Sequence, residues 1–208
     1  MPLDGPFNFI EAAVVPTWKD PPRNKWRFLS CCLVYTIAGL GDSAIGALIP
    51  YMETHYNIGY AIVSLISVGQ TVGFLGAAFF TDAMNSRFGQ VKTYIFAQAL
   101  MAVAFGVIIS TPPYPVVGCS FLLIGWALAI NLALNNVFCA NLAVSSVILG
   151  AGHGTYDIGG TIGPFIAMAL VSHGALWSRY YIVTLCLCTL AAVFTGWAFK
   201  GLESEPSH

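Results

Sequence analysis

Charge is what this sequence has least of. Only 8% of its 208 residues are Asp, Glu, Lys or Arg, and 57% are hydrophobic, whereas soluble domains carry about 25% charged residues. The net charge of −1 offers no basic surface to nucleic acid. This composition excludes a soluble globular protein and predicts an integral membrane protein whose first partner is the lipid bilayer.

Signatures of catalytic and metal chemistry are missing too. The six cysteines all lie within apolar runs, where they are typical of small buried residues rather than of disulfides or a zinc site. No His-Glu-x-x-His segment occurs, and the nearest match to the Gly-x-Ser-Gly of rhomboid-type proteases, at residues 118–121, lacks the second glycine. We therefore expect no enzyme, no metal site and no cofactor. A Thr-Val-Gly-Tyr-Gly channel filter is absent as well.

The first 26 residues are polar and contain five prolines. They lack the apolar core and small-residue cleavage site of a secretory signal peptide. We predict a disordered cytoplasmic tail over residues 1–26 and a second, short cytoplasmic tail over residues 201–208.

Long apolar stretches fill the rest of the chain, each near the ~20 residues that a helix needs to cross a bilayer. They cover residues 28–51, 60–81, 93–111, 115–140, 144–172 and 180–199. The predicted fold is all-α, with six transmembrane helices over residues 27–200. If the N-terminus is cytoplasmic, seven of the eight Lys and Arg residues lie inside, as the positive-inside rule requires. Both termini are then cytoplasmic; the plasma membrane and an internal membrane both remain open.

Asp42 lies near the middle of the first span, where an ionisable group costs at least ~2.5 kcal/mol. Residues of this kind usually face a cavity, so Asp42 is a candidate binding residue for substrate or proton. The alternative is a carboxylate that only hydrogen-bonds a neighbouring helix. Gly39 and Gly46 share its helix face and would let a helix or a substrate approach closely.

Five more polar residues are candidates for the same site. Asn131 and Asn135 share a face of the fourth span, His153 and Asp157 share a face of the fifth, and Gln70 lies in the second. Histidine titrates near neutral pH, so the pair in the fifth span could relay protons. For the asparagines and Gln70 the alternative is an interhelical contact that only fixes packing; for the asparagines this is a hydrogen bond of ~0.6 kcal/mol on average. For His153 and Asp157 the alternatives are an ion pair that only fixes a helix contact, or a pair near the cytoplasmic end where water reaches.

Small residues at spacings that favour close helix packing recur in two spans. They are Gly69, Gly73 and Ala77 in the second span, and Gly159 and Gly163 in the fifth, where Pro164 predicts a bend.

The loop after the second span reads TDAMNSRFGQVK and carries Asp82, Arg87, Gly89 and Lys92. It resembles the signature Gly-x-x-x-Asp-Arg-x-Gly-Arg-Lys that lies between transmembrane helices two and three of the major facilitator superfamily. Serine stands here in place of the acid before the arginine, and glutamine in place of the second base. The stretch GLGDSAIGALIPYMETHYNIGYAIVSLISVGQTVGFLGAAF resembles the fucose-permease-like branch of that superfamily, particularly its fungal members.

The resemblance implies the N-terminal half of a twelve-helix secondary transporter, built as two inverted three-helix repeats, with Asp42 in the central cavity. Its implied substrate is a small polar solute such as a sugar, with proton symport as an open question. The branch usually has a Gln-Asp pair where this chain has Asn131 and Leu132, so the second carboxylate is missing. Transport would need a second six-helix half or a second copy of the chain. The alternatives are a truncated or split product that is inactive alone, and a six-span homo-oligomeric channel.

Overall fold

A computed structural model describes residues 15–202, and every regular element in that range is helical. The α-helices are α1 (Asn24–Tyr56), α2 (Tyr60–Val63), α3 (Leu65–Ala78), α4 (Thr81–Phe88), α5 (Gln90–Ile109), α6 (Tyr114–Ala140), α7 (Ser145–Ser172) and α8 (Tyr180–Phe199), with a 3₁₀ helix at Trp177–Arg179.

Five helical stretches are long and apolar enough to cross a membrane. They are Asn24–Tyr56, Tyr60–Ala78, Gln90–Ile109, Tyr114–Ala140 and Trp177–Phe199. The predicted fifth span corresponds to α7, which has 28 residues and contains Pro164. Its glycines, together with His153 and Asp157, dilute its apolar character, and it is not among the five. The chain is an all-helical, multi-pass integral membrane protein.

Helices end where the backbone cannot continue a helix. The chain leaves α1 at Asn57, whose φ of +51° is left-handed and whose N–H donates to the Glu53 carbonyl, as a helix C-terminus often requires. Gly89, with φ of +84°, separates α4 from α5, a conformation that glycine adopts without strain. Pro112 and Pro113 precede α6.

Glycines let α1 and α7 pack against each other along their length. A Cβ built on Gly39 would lie 2.0 Å from the Tyr156 carbonyl oxygen, and one on Gly159 would lie 2.2 Å from the Thr36 carbonyl oxygen. A Cβ on Gly163 would fall 2.8 Å from a carbonyl oxygen of α1. Side chains do not fit at these distances, so glycine is required for the two backbones to come this close.

The second close pair is α3 with α6. A Cβ on Gly73 would lie 2.0 Å from the Leu122 carbonyl oxygen, and one on Gly125 would lie 1.9 Å from the Gln70 carbonyl oxygen. At Gly69 the gap is wider, 3.2 Å to a carbonyl oxygen of α6. The remaining helices complete the bundle: α5 packs against α6 and α8, and α8 also packs against α1.

The predicted N-terminal tail overlaps the start of the first helix. Residues 24–26 belong to α1, which begins earlier than the predicted span because the polar Asn24 and the basic residues after it extend the helix beyond its apolar part. Residues 1–14 and 203–208 of the two predicted tails lie outside the described residues, whereas residues 15–23 and 201–202 are described.

Residues 15–23, which we call the N-terminal strap, cross one end of the bundle. The backbone N–H of Ala143, between α6 and α7, donates to the Pro16 carbonyl oxygen at 2.8 Å. Arg23 donates through Nη2 to the Trp197 carbonyl oxygen at 2.7 Å. The strap therefore ties the start of α1 to the α6–α7 connection and to the end of α8.

Candidate functional site

A cavity of about 610 Å³ lies between α1, α3, α6 and α7. Its apolar wall includes Ile45, Ile49, Phe74, Leu128 and Leu132. Its polar lining residues are Asp42, Ser67, Gln70, Thr71, His153 and Tyr156. Within residues 15–202, neither lysine nor arginine lines this cavity, so Asp42 is the charged group that dominates its electrostatics.

Both oxygens of Asp42 accept hydrogen bonds from neighbouring helices. Gln70 donates from Nε2 to Oδ1 at 2.5 Å, and Tyr156 donates its hydroxyl to Oδ2 at 2.7 Å. Hydrogen bonds to an ionised acceptor are about twice as strong as neutral ones. Asp42 therefore lines the cavity and also links α1 to α3 and α7.

The glycines described above place both donors. Gly39 lets the Tyr156 backbone approach α1, three residues before Asp42. Gly125 lets the Gln70 backbone approach α6, which fixes α3 on the other side of the cavity. The close helix contacts thus determine where the two side chains can reach the carboxylate.

Tyr156 is a site residue that the sequence analysis missed. A tyrosine in an apolar helix gives little signal, because tyrosines are common at the ends of membrane spans, where they lie at the membrane–water interface. The available signal was position: Tyr156 follows His153 by three residues, which places the two side chains on one helix face. Both line the cavity.

His153 and Asp157 are separated in their surroundings. His153 lines the cavity and its ring lies 5.1 Å from the ring of Tyr35. Asp157 is exposed and is not part of the lining. Within the described stretch of the chain the two side chains form no ion pair. The structure therefore does not pair them as the proton relay that their spacing suggested.

The sequence model of the Major Facilitator Superfamily matches residues 31–208. The chain belongs to the major facilitator superfamily. Members of this superfamily are transmembrane transporters rather than enzymes. Bypass of stop codon protein 6 of Saccharomyces cerevisiae is 26% identical over 186 residues, which cover 88% of this chain and 37% of that protein. The chain thus spans little more than a third of the length of this relative.

Asn131 and Asn135 of α6 lie away from the cavity, although we expected them to line it. Asn131 is fully buried and its Oδ1 accepts a hydrogen bond from Gln98 Nε2 at 3.1 Å. Asn135 is 1% exposed and its Oδ1 accepts a hydrogen bond from the Tyr94 hydroxyl at 2.7 Å. Both face α5, because an amide buried among apolar groups needs polar partners and α5 supplies them. Leu132 lines the cavity instead.

Gly46 also differs from the expectation of a packing residue. A Cβ on Gly46 would meet nothing within 4 Å, and the residue lines the cavity. Its lack of a side chain enlarges the space beside Asp42 rather than admitting a helix.

The residues of the superfamily loop signature lie on and beside α4. Asp82 is in the first turn of this helix and Arg87 in the last, an arrangement that complements the helix dipole. Gly89 forms the turn into α5, and Lys92 follows within α5. The three charged side chains are exposed. Among the residues described, Asp82 forms no ion pair.

Proposed function

We propose that this chain forms the N-terminal half of a secondary transporter for a small polar solute, with Asp42 as the binding residue for solute or proton. One observation carries the proposal. A carboxylate hydrogen-bonded on both oxygens lies in the wall of a 610 Å³ cavity between four helices. Ionisable residues inside membranes commonly mark such a substrate or ion path.

The lining supports a neutral hydroxylated solute, such as a sugar, or a cation. Asp42, Gln70 and Thr71 offer acceptors and donors that suit hydroxyl groups, and a carboxylate attracts a cation. An anion would meet the charge of Asp42 with no lysine or arginine in the described lining to offset it. This chemistry fits the fucose-permease-like branch that the sequence of α1 resembles.

Proton coupling, if it operates, would depend on Asp42 alone among the carboxylates of the cavity. The branch's second carboxylate is replaced at Asn131 and Leu132, and Asn131 is engaged with Gln98 away from the cavity. His153, on the cavity wall, is the remaining titratable group that we propose as an accessory proton carrier.

The pairing of the helices in the bundle supports six spans arranged as two inverted repeats. In such an arrangement, helices α1, α3 and α5 of the first repeat correspond to α6, α7 and α8 of the second. The pair α1–α7 therefore corresponds to the pair α6–α3, and the pair α5–α6 corresponds to the pair α8–α1. All four pairs pack closely. Inverted repeats of this kind are typical of secondary transporters, and they include α7 as a span.

The distribution of basic residues supports the proposed orientation. The connections at the end of the bundle that carries the N-terminal strap, which we call the basic end, include Arg87, Lys92 and Lys200, whereas Arg179 lies at the opposite end. The positive-inside rule then places the basic end, and both termini, in the cytoplasm.

A second six-helix half would complete the cavity. Apolar side chains on two of the cavity helices, α3 and α7, are exposed, including Val68, Leu75, Ile158 and Phe165, and Leu75 also lines the cavity. Alternating access requires one half to rock against another. We therefore propose a partner half, contributed by further sequence, another chain or a second copy.

Reconstitution at known copy number tests the proposal. Vesicles holding the 208-residue chain are assayed for uptake of a panel of neutral sugars, organic cations and organic anions, and copies per vesicle are counted by single-molecule photobleaching. We expect uptake of a neutral or cationic solute only in vesicles with two or more copies or with a complementary half. Robust uptake by single copies would favour a channel instead. Binding of a panel solute without uptake in any vesicle would indicate a split product inactive alone.

A further inference from the structure

Three aromatic side chains meet at the basic end of the bundle, where α1 begins and α8 ends. The ring of Trp26 lies 5.8 Å from that of Trp197 and 6.5 Å from that of Phe194, and Phe194 stacks on Trp197 at 5.8 Å. Trp26 and Trp197 are 39% and 49% exposed. We call these three residues the aromatic cluster. Large exposed indole rings at the end of a span are typical of the membrane–water interface.

Basic side chains surround the aromatic cluster. The guanidinium of Arg23 lies 5.6 Å from the Trp197 ring, and it donates to the carbonyl oxygens of Trp197 and Ala198 at the end of α8. The ammonium of Lys25 lies 5.4 Å from the Trp26 ring. Lys200 is exposed directly after α8. Among the described residues of the strap and of the adjoining ends of α1 and α8, Asp20 is outnumbered by Arg23, Lys25 and Lys200.

An apolar surface continues from the aromatic cluster toward the centre of the membrane. Leu29 on α1 is 50% exposed, and Leu190 and Val193 on α8 are 59% and 70% exposed. No residue of α8 lines the cavity. This flank therefore lies away from the proposed solute path, where lipid reaches it.

We propose that the aromatic cluster and its basic residues bind the headgroup of an anionic phospholipid. The lipid phosphate would lie between Lys25, Arg23 and Lys200, the indole N–H groups would face the headgroup region, and the acyl chains would run along the exposed side chains of α1 and α8. A basic residue close to an anionic membrane surface strengthens association by about fivefold. The proposal does not depend on what the cavity binds.

A lipid, rather than free phosphate, suits this surface. The groups that carry positive charge are spread around an exposed aromatic patch instead of enclosing a pocket, and two donors of Arg23 are engaged with carbonyl oxygens of α8. Small anions at such an exposed site are screened by salt. A lipid adds contacts of its acyl chains with the apolar flank, which a free anion cannot make.

Tryptophan quenching by brominated lipids tests this proposal on the full chain. The protein is reconstituted into phosphatidylcholine bilayers, and brominated phosphatidylglycerol or brominated phosphatidylcholine is added at equal mole fractions. We expect stronger quenching by the anionic lipid for the wild type. The preference should fall about fivefold in Lys25→Gln and return in Lys25→Arg. Lys92→Gln removes an exposed basic residue at the same end of the bundle and serves as the matched control.

Each remaining outcome overturns the proposal. Equal quenching by the two lipids would show that the cluster does not select anionic headgroups. An equal loss of preference in Lys92→Gln and Lys25→Gln would assign it to the general charge of this end. Loss of the preference with inorganic phosphate, but not with sodium chloride at the same ionic strength, would indicate a free-anion site.

Discussion

Two of the polar groups between the described membrane-spanning helices differ in what surrounds them. The group around Asp42 borders an open cavity and joins helices α1, α3 and α7. The group around Asn131 and Asn135 is buried among α5 and α6, where the amide oxygens accept hydrogen bonds from Gln98 and Tyr94. A polar residue in a span is therefore a site candidate only where space lies beside it; otherwise it holds helices together.

Replacing Asp42 with asparagine should give the largest functional effect. We expect solute binding to weaken by about thirtyfold or more, because truncating one side of a charged hydrogen-bonded contact costs ~2–5 kcal/mol. Membrane insertion should stay intact or improve, since the desolvation cost of the charge disappears. Binding and uptake of the solute identified by the panel are the measurements.

Asp157→Asn is the control for that substitution, because Asp157 is an exposed carboxylate on α7 outside the cavity lining. Wild-type binding in Asp42→Asn, or the same loss in both variants, would contradict the assignment of the site.

Enlarging Gly39 should disturb the contact that positions the cavity group. The new Cβ of Gly39→Ala would lie 2.0 Å from the Tyr156 carbonyl oxygen, and overpacking of this kind costs ~1–3 kcal/mol. We expect a lower midpoint of thermal unfolding in detergent. Gly46→Ala, whose Cβ has nothing within 4 Å, should unfold like the wild type; a matching loss there would mean that the close α1–α7 contact is not the cause.

Removing the hydroxyl of Tyr156 should weaken solute binding less than replacing Asp42 does. Tyr156→Phe deletes one of the two hydrogen bonds to the carboxylate, and a hydrogen bond to a charged group contributes ~1.5–3 kcal/mol. We expect solute binding to weaken by roughly tenfold. Thr161→Val is the comparison on α7, since the Thr161 hydroxyl donates to a backbone carbonyl of its own helix and is exposed. Unchanged binding in Tyr156→Phe would separate this tyrosine from the function of Asp42.

The smallest effect is expected for a substitution in the buried polar group around Asn131 and Asn135. Asn131→Leu removes the acceptor of Gln98, and interhelical hydrogen bonds in membranes contribute ~0.6 kcal/mol on average, at most ~1.7. Thermal unfolding should shift slightly while solute binding stays at the wild-type level. A variant that unfolds normally but no longer binds solute would place Asn131 in the solute path and remove the distinction between the two groups.

Much of the fold follows from the sequence because a bilayer demands long apolar helices. Pro112 and Pro113 before α6 and Gly89 before α5 lie in the links between the apolar stretches. Asp42 stands out because its charge is costly at that depth. The orientation of each helix about its axis does not follow. Lipid and protein interior are both apolar, so the pattern of hydrophobic residues barely distinguishes the face of α6 that meets α5 from the face that borders the cavity.

For the same reason, residue spacing identified which side chains share a helix face, but not which helix or cavity that face meets. Gly39 and Gly46 flank Asp42 alike in the sequence, yet one admits α7 and the other leaves space. Gly125 gave no distinct signal, because its role depends on the Gln70 backbone of another helix. The spacing of Tyr156 from His153 indicated a shared face but not that its hydroxyl reaches Asp42. Such roles become visible only when the packing of α3 on α6 and of α1 on α7 is known.

The N-terminal strap has a consequence for the order of events during synthesis. Pro16 and Arg23 leave the ribosome long before Ala143 and Trp197, the residues whose backbones they contact. The hydrogen bond of Pro16 cannot form until the α6–α7 connection has been made, and that of Arg23 cannot form until α8 has been made. The earliest residues of the described chain are thus among the last to reach their native contacts, and closure of the strap reports that the whole bundle has assembled.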